Sequence, residues 1–272
     1  MSEFHSPANA TTVSEAGRFL TTGIEALDRR IGGIPRGNLT VVAGRTGNGK
    51  SAFALQLLAH GARLGRIQVV EAGEMRGDKV TILVMAQLAG LSRGESLGTH
   101  GGRTQEATDR LGAVAGIARA APLFIRADPS VRLEDVTEDA RQVRSRRGGL
   151  DLIIIDGWSH VASGCRRRAP AALAGLAREF DCAVVLTAHL PTAIGRRRPG
   201  LDDFRDDDKA LVADAGLVLI LSRPNAWDAN DPNADTFDHD APEDAEIVVG
   251  KARGAEVGVV PVQWRGRECR YE

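Results

Sequence analysis

The segment LTVVAGRTGNGKSAFALQLL, residues 39–58, carries the most specific structural pattern in this 272-residue chain. Apolar and β-branched residues lead into a glycine-rich turn, and apolar residues at helical spacing follow that turn. Residues 44–51 match the pattern G-x-x-x-x-G-K-[ST], whose backbone N–H groups curl around a phosphate at the start of a helix. The sequence therefore predicts a strand, a phosphate-binding loop and a helix in this order.

This loop predicts a site for ATP and Mg²⁺. In the pattern, the lysine reaches the β- and γ-phosphates and the last hydroxyl holds the metal ion, so Lys50 and Ser51 take these roles. The predicted ATP-binding residues are Gly44, Arg45, Thr46, Gly47, Asn48, Gly49, Lys50 and Ser51. Asp156 ends the apolar run LDLIIID at the carboxyl end of a predicted buried strand, which makes it the second predicted anchor of Mg²⁺. The alternative for Asp156 is an ordinary turn residue before Gly157.

Further apolar runs alternate with helical patterns along the chain. The runs are continuous rather than alternating, which is typical of strands covered on both faces of a mainly parallel sheet. The predicted strands span residues 39–44, 66–73, 122–127, 150–157, 182–189, 217–223, 246–253 and 257–265. The predicted helices include residues 51–65, 78–92, 133–147 and 169–180. The Pro/Asn/Asp-rich segment 224–245 predicts the tip of a long hairpin, so we expect an α/β fold whose helices flank the sheet and whose C-terminal strands form an antiparallel hairpin.

Composition excludes several classes of protein. A formal net charge of -1 excludes a histone-like polycation, but it leaves room for a local nucleic-acid groove. Cys165, Cys182 and Cys269 form no C-x-x-C pair and the histidines have no ligand spacing, so neither zinc nor a disulfide framework is indicated. No apolar run is long enough for a membrane span or a signal peptide, and we expect a cytoplasmic protein without a membrane partner. Residues 1–18 are small and polar, which predicts a disordered tail before one domain at 19–272.

The order of the motifs resembles the ATPase domain of DnaB-type replicative DNA helicases, within the RecA-like class of phosphate-loop NTPases. The segment TTGIEALD…GNL…GKSAFAL at 21–55 is similar to the family's T-G-x-x-x-L-D…G-x-L…G-K-[ST]-x-x-A-L. EAGEM at 71–75 is similar to S-L-E-M, RRPGLDDFRDD at 197–207 to R-P-x-x-x-D-L-R-E, and KARGAEVG at 251–258 to K-x-R-N-G-x-x-G. The resemblance extends from Thr21 to Arg270. Among its departures, His189 stands at a sensor position that is usually Gln, and Gly254-Ala255 replaces Asn-Gly. We see no pattern for the family's N-terminal collar domain.

The resemblance implies roles for side chains outside the loop. Glu74 activates the attacking water, with Glu71 as its competitor, and His189 contacts the γ-phosphate unless it only ends a strand. Lys251 and Arg253, two residues apart on one strand, reach the γ-phosphate of a neighbouring subunit; an exposed strand end is the alternative. The predicted DNA-contacting residues are Arg196, Arg197 and Arg198, with a solvated loop as the alternative.

The main functional hypothesis is an ATP-dependent helicase or translocase of the DnaB type, moving on single-stranded DNA. Contacts between subunits imply a head-to-tail homo-oligomer, either a closed ring or a helical filament. The resemblance implies a hexameric ring, with a primase or a loader as a further partner. Two alternatives remain open. One is a RecA/RadA-type or KaiC-like ATPase in recombination, and the other is a DnaB-like module for assembly or loading that binds ATP without unwinding DNA.

Overall fold

The computed structural model describes residues 17–98, 102–161, 166–191, 197–224 and 241–272. Its strands are β1 Phe19–Leu20, β2 Ile34–Pro35, β3 Asn38–Gly44, β4 Gln68–Ala72, β5 Leu123–Arg126, β6 Leu152–Asp156, β7 Ala183–His189, β8 Leu217–Ser222, β9 Pro242–Ala252, β10 Gly258–Arg265 and β11 Arg270–Tyr271. Its α-helices are α1 Glu25–Ile31, α2 Lys50–Arg63, α3 Gly77–Ala89, α4 Arg93–Leu97, α5 Gln105–Ala120, α6 Leu133–Arg147, α7 Ala169–Phe180 and α8 Lys209–Asp214.

Within the described residues, one sheet of nine strands organises the domain, in the order β11-β10-β9-β8-β3-β7-β6-β4-β5. The strands from β8 to β5 are parallel, whereas β9, β10 and β11 each pair antiparallel with a neighbour. Strands β1 and β2 form a separate antiparallel pair. The α/β fold with a mainly parallel sheet and a C-terminal antiparallel hairpin is confirmed, and the hairpin tip predicted at 224–245 lies largely outside the described residues.

Two apolar layers cover the central strands. Along β3, Leu39, Val41 and Ala43 face a layer formed with α6, α7 and α8, while Val42 faces a layer formed with α1, α2 and α3. All four side chains are fully buried, as the continuous apolar run predicts. Because the parallel strands all end at one edge, this packing brings the loops after β3, β4, β6 and β7 together.

Several elements lie outside the sequence predictions. Helix α5 packs on α3 and buries Ala107 and Leu111. The tail predicted at 1–18 lies outside the described residues except for its last two, and the backbone carbonyl of Arg18 accepts a hydrogen bond from the N–H of Arg36. In the part of the chain that the structure describes, no helix is long and apolar enough to cross a membrane.

Candidate functional site

The loop between β3 and α2 has the backbone that an anion site requires. Gly47 and Gly49 adopt φ angles of 84° and 77°, a left-handed conformation that glycine adopts without steric cost. Helix α2 begins at Lys50, and no side chain caps its first N–H groups. These donors and the helix dipole therefore favour a phosphate at this position.

Lys50 is held inside this loop. Its Nζ donates a hydrogen bond of 2.9 Å to the carbonyl oxygen of Arg45, and its side chain is almost fully buried. Burial lowers the pKa of Lys50 to about 8, although the negative charges of Asp156 and Glu74 oppose this shift. An incoming polyphosphate would raise this pKa again, because opposite charge favours the charged state.

Ser51 and Asp156 form the predicted metal pair. The Ser51 hydroxyl donates to Asp156 Oδ1 at 3.1 Å, and the Thr187 hydroxyl on β7 donates to the same oxygen at 2.8 Å. Asp156 is buried, and burial raises its pKa while these two hydrogen bonds lower it. A hydroxyl beside a carboxylate is a hard oxygen donor set that suits Mg²⁺. The described residues contain no group of three or more His, Cys, Asp or Glu side chains for a metal, so the other ligands would be phosphate and water oxygens.

Two candidate carboxylates have different surroundings: Glu74 follows β4 and Glu71 lies within it. Glu74 is half exposed, its Oε1 lies 3.2 Å from Nε2 of His160, and its charge acts on both Lys50 and Asp156. Glu71 is fully buried and lies 3.8 Å from the guanidinium of Arg126. Burial raises the pKa of Glu71 well above the usual carboxyl range, and the nearby Asp139 adds to this. The geometry therefore favours Glu74 over Glu71 as the carboxylate at the phosphate site.

His189 ends β7 beside the loop, where its backbone pairs with that of Gly44. Its side chain is exposed to solvent. Partial burial of the ring lowers the pKa of His189, and the positive charge of Lys50 lowers it further. His189 thus lies at the predicted edge of the sheet, within electrostatic range of Lys50.

A buried polar cluster lies behind the loop, and no sequence motif predicts it. Arg223 forms a bidentate ion pair with Glu243, and both side chains are about nine-tenths buried. The same guanidinium donates to the carbonyl of Gly47 at 2.8 Å and lies 4.4 Å from the centre of the Trp264 ring. The Tyr271 hydroxyl donates to the carbonyl of Asn48. These contacts fix the backbone of the phosphate loop from the side of the antiparallel strands.

Gly49 shows how closely this cluster packs. A Cβ at this position would lie 2.9 Å from a ring carbon of Trp264 and 3.0 Å from the hydroxyl of Tyr271. Glycine is therefore required here for space as well as for its positive φ.

A cavity of about 100 Å³ lies on the other side of Ser51. Its walls come from α2, α3, the start of α4, the segments on either side of α3 and the turn before β11. The lining includes the apolar side chains of Leu55, Met75 and Leu83, and the charged residues Arg93 and Glu268.

Lys251 and Arg253 lie far from the phosphate loop along the sheet. Lys251 pairs with Val218 near the start of β8, whereas the phosphate loop follows the opposite ends of the parallel strands. Its Nζ donates to the carbonyls of Val212 and Ala213, at 2.6 and 2.8 Å, in the last turn of α8. Arg253 follows β9, and its side chain is exposed. The structure does not bring this predicted pair to the phosphate loop of the same chain.

Two of the predicted DNA-contacting arginines form ion pairs with acidic residues. Arg197 pairs with both carboxylate oxygens of Asp203, and Arg198 donates to both oxygens of Glu246 at 2.7 and 2.6 Å. Both arginines remain more than half exposed. Arg196 lies outside the described residues. DNA binding at this loop would therefore exchange two carboxylate partners for phosphates.

The chain matches known helicases over nearly its whole length. It is 26% identical over 268 residues to the replicative DNA helicase DnaB of Pasteurella multocida, covering 93% of this chain and 55% of that protein. It is also 26% identical over 253 residues to the DnaB of Geobacillus stearothermophilus, covering 89% of this chain and 53% of that helicase. The chain thus spans about half the length of these relatives.

Solved structures show the same fold. One solved ATPase domain superimposes with a TM-score of 0.80 at 19% identity, covering 94% of this chain and 92% of that one. A DnaB-like replicative helicase, solved to describe its interactions with primase, gives a TM-score of 0.80 at 20% identity, covering 97% of this chain and 64% of that one. The model of the DnaB-like helicase C terminal domain matches residues 19–272. The chain therefore belongs to the family of DnaB-like helicase C-terminal domains.

Proposed function

We propose that this chain is the ATP-hydrolysing motor of a DnaB-type replicative helicase or translocase, acting on single-stranded DNA in the cytoplasm. The observation that carries the proposal is the meeting of Lys50, Ser51, Asp156 and Glu74 at one edge of the sheet, beside an uncapped helix start. These groups provide the positive charge, the metal ligands and the carboxylate that phosphoryl transfer to water requires.

In this proposal each group has one task. The N–H groups of α2 and the ammonium of Lys50 bind the β- and γ-phosphates, and Glu74 orients the water that attacks the γ-phosphorus. The new P–O bond forms as the bond to the bridging oxygen breaks, so the products are ADP and phosphate. Mg²⁺ held by Ser51 and Asp156 supplies neutralising charge on the phosphate oxygens when it is bound.

The positions of Lys251 and Arg253 support an active site shared between subunits. Along β8, residues 217 and 221 mark the Arg253 end and the Gly44 end of the sheet. The four residues from 217 to 221 span about 13 Å of strand. Arg253 lies beyond one end of this stretch and the phosphate loop lies beyond the other, so Arg253 is too far away to reach the γ-phosphate bound by its own chain. A head-to-tail neighbour would bring the pair to the next pocket, and closing such contacts into a ring gives the proposed hexamer.

ATP hydrolysis should be measured with and without single-stranded DNA, on protein whose mass is determined with and without nucleotide. We expect Mg²⁺-dependent turnover that DNA stimulates, and a multimer in the presence of nucleotide. Lys50→Ala should abolish turnover while leaving the circular dichroism spectrum unchanged. Normal hydrolysis by Lys50→Ala would refute the nucleotide assignment, and nucleotide binding without turnover would favour an assembly or loading module.

Partner proteins are a further part of this proposal. The solved DnaB-like helicase that was described with primase supports primase as a partner to test, with a loader as the alternative. Binding of primase to the nucleotide-bound multimer can be followed by the change in mass.

A further inference from the structure

His160 lies against the carboxylate proposed to orient water, although no motif of the sequence singles it out. It ends a 3₁₀ turn, Trp158–His160, that follows β6 directly after Asp156 and Gly157. Its Nε2 lies 3.2 Å from Glu74 Oε1, and its Nδ1 lies 3.2 Å from the carbonyl oxygen of Pro129. One imidazole therefore connects a fixed backbone carbonyl with the carboxylate after β4.

The ring is located by close packing on two sides. A Cβ on Gly73 would lie 2.4 Å from the ring carbon Cγ of His160, and a Cβ on Gly157 would lie 2.6 Å from Cδ2. Real Cβ atoms do not approach so closely, so both positions require glycine while the imidazole stays there. Gly157 also has a φ of 119°, which other residues rarely adopt.

The backbone of the turn is fixed as well. The carbonyl of His160 accepts a hydrogen bond of 2.9 Å from the N–H of Val131. The Arg166 guanidinium donates to the carbonyls of Ser159 and Val161, the residues on either side of His160, at 2.6 and 3.2 Å. The imidazole is thus anchored from its main chain, whereas the Glu74 side chain is 54% exposed.

The hydrogen-bond chemistry of the ring sets what Nε2 can do. A carbonyl oxygen only accepts hydrogen bonds, so Nδ1 must donate to Pro129. The contact between Nε2 and Glu74 then holds one proton, either on Nε2 as part of an imidazolium or on the carboxyl group. In both forms Oε1 is occupied by the ring, and Oε2 remains available for another partner.

We propose that His160 is a positioning residue for ATP hydrolysis, whose imidazole holds one oxygen of Glu74 so that the other oxygen orients the attacking water. This inference rests on the role of Glu74 in the proposed function. In this proposal, the rigid turn after β6 serves to place the Glu74 side chain. Because that side chain is half exposed, it would otherwise sample several rotamers. Small displacements of such a group are costly, since an error of about 1 Å can slow catalysis about a hundredfold.

Two variants at one position test the role of Nε2. Asn places its amide near the position of Nδ1 and keeps a donor for Pro129, but it is too short to reach Glu74. Gln extends its amide toward the position of Nε2 and keeps a donor for Glu74. We expect His160→Asn to lower kcat at least about tenfold with KM for ATP changed less than about twofold, and His160→Gln to recover at least about fivefold of that loss. Ser159→Ala, an exposed change in the same turn, should leave kcat unaltered.

Glu74→Gln separates failure of this inference from failure of the proposed function. We expect Glu74→Gln to bind ATP but to hydrolyse it at least about a hundredfold more slowly, and His160→Asn to add no further loss in that background. Normal turnover by Glu74→Gln would remove the role of Glu74, and the role of His160 with it. If Glu74→Gln hydrolyses ATP slowly, its role stands, and the His160 variants decide this inference by themselves. Equal kcat values for His160→Asn and His160→Gln, whether both are high or both are low, would overturn it. A kcat above the wild-type value in His160→Asn also overturns it, because His160 would then restrain Glu74 rather than place it.

Discussion

Replacing Arg223 with Met is expected to destabilise the domain severely, because it leaves Glu243 buried without its partner. The Arg223 and Glu243 side chains are only 9% and 10% exposed, and the pair is bidentate, with its shortest N–O distance at 2.7 Å. Breaking a buried ion pair from one side costs about 3–5 kcal/mol. The lost stacking on Trp264 adds about 1–2 kcal/mol. This total is a large fraction of the about 5–15 kcal/mol by which domains are stable.

The free energy of unfolding should be measured in urea for Arg223→Met, Glu243→Leu and the double variant. Removing both partners deletes the buried charges together, so the double variant should be more stable than either single variant. It should still bind ATP less tightly than wild type, because the hydrogen bond from Arg223 to the carbonyl of Gly47 is gone. Arg265→Met is the matched control, since the Arg265–Glu272 pair is more than a third exposed and should contribute less than about 1 kcal/mol. A role for the buried ion pair in stability is excluded if Arg223→Met lowers the free energy of unfolding no more than Arg265→Met does, or if the double variant is the least stable of the set.

Three further predictions concern titration and salt. Burial lowers the pKa of Lys50 to about 8 and bound phosphate favours its ammonium form, so ATP affinity should fall by up to about tenfold per pH unit above pH 8. In the same nucleotide titrations, a Lys50→Arg variant should bind more weakly and its affinity should not change with pH. Burial raises the pKa of Glu71, so the folded state keeps a proton that the unfolded state loses above about pH 4.3. The free energy of unfolding of the wild type, measured in urea, should therefore fall as pH rises from 5 to 8, and Glu71→Gln should remove this pH dependence. Changing residues 196–198 to Ala should flatten the salt dependence of single-strand binding by up to about 2 units of log K per log salt, while the same change at 167–168 should not, and an unaltered slope would exclude the loop from DNA binding.

The sequence predicted the parallel part of the fold, including the strand, loop and helix that carry the proposed phosphate site, because these depend on local patterns. The G-x-x-x-x-G-K-[ST] motif identifies the residues of the loop directly. A continuous apolar run that ends in Asp156 indicates both a buried strand and the edge of the sheet where that strand ends. Thr187 had a signal of the same kind, since it is a lone hydroxyl in the run CAVVLTAH, but only the fold brings it to Asp156.

The groups behind the loop could not be predicted in this way. Arg223 and Tyr271 reach the carbonyls of Gly47 and Asn48 from 176 and 223 residues away in sequence, so no local spacing connects them. His160 was missed for the same reason, because its partner Glu74 is 86 residues away. Ion pairs also decide what a run of arginines can do, and the sequence does not show that Arg197 and Arg198 already have carboxylate partners.

In the proposed oligomer, one subunit supplies Arg253 to the nucleotide pocket of the next, and mixing inactive variants tests this arrangement. Arg253→Ala and Lys50→Ala subunits should each be inactive alone. In an equal mixture that exchanges subunits freely, about a quarter of the interfaces would join an intact pocket to an intact Arg253, so hydrolysis should recover to roughly a quarter of the wild-type rate. No recovery, in mixtures whose masses prove subunit exchange, would contradict a shared site and leave Arg253 with a role in its own chain.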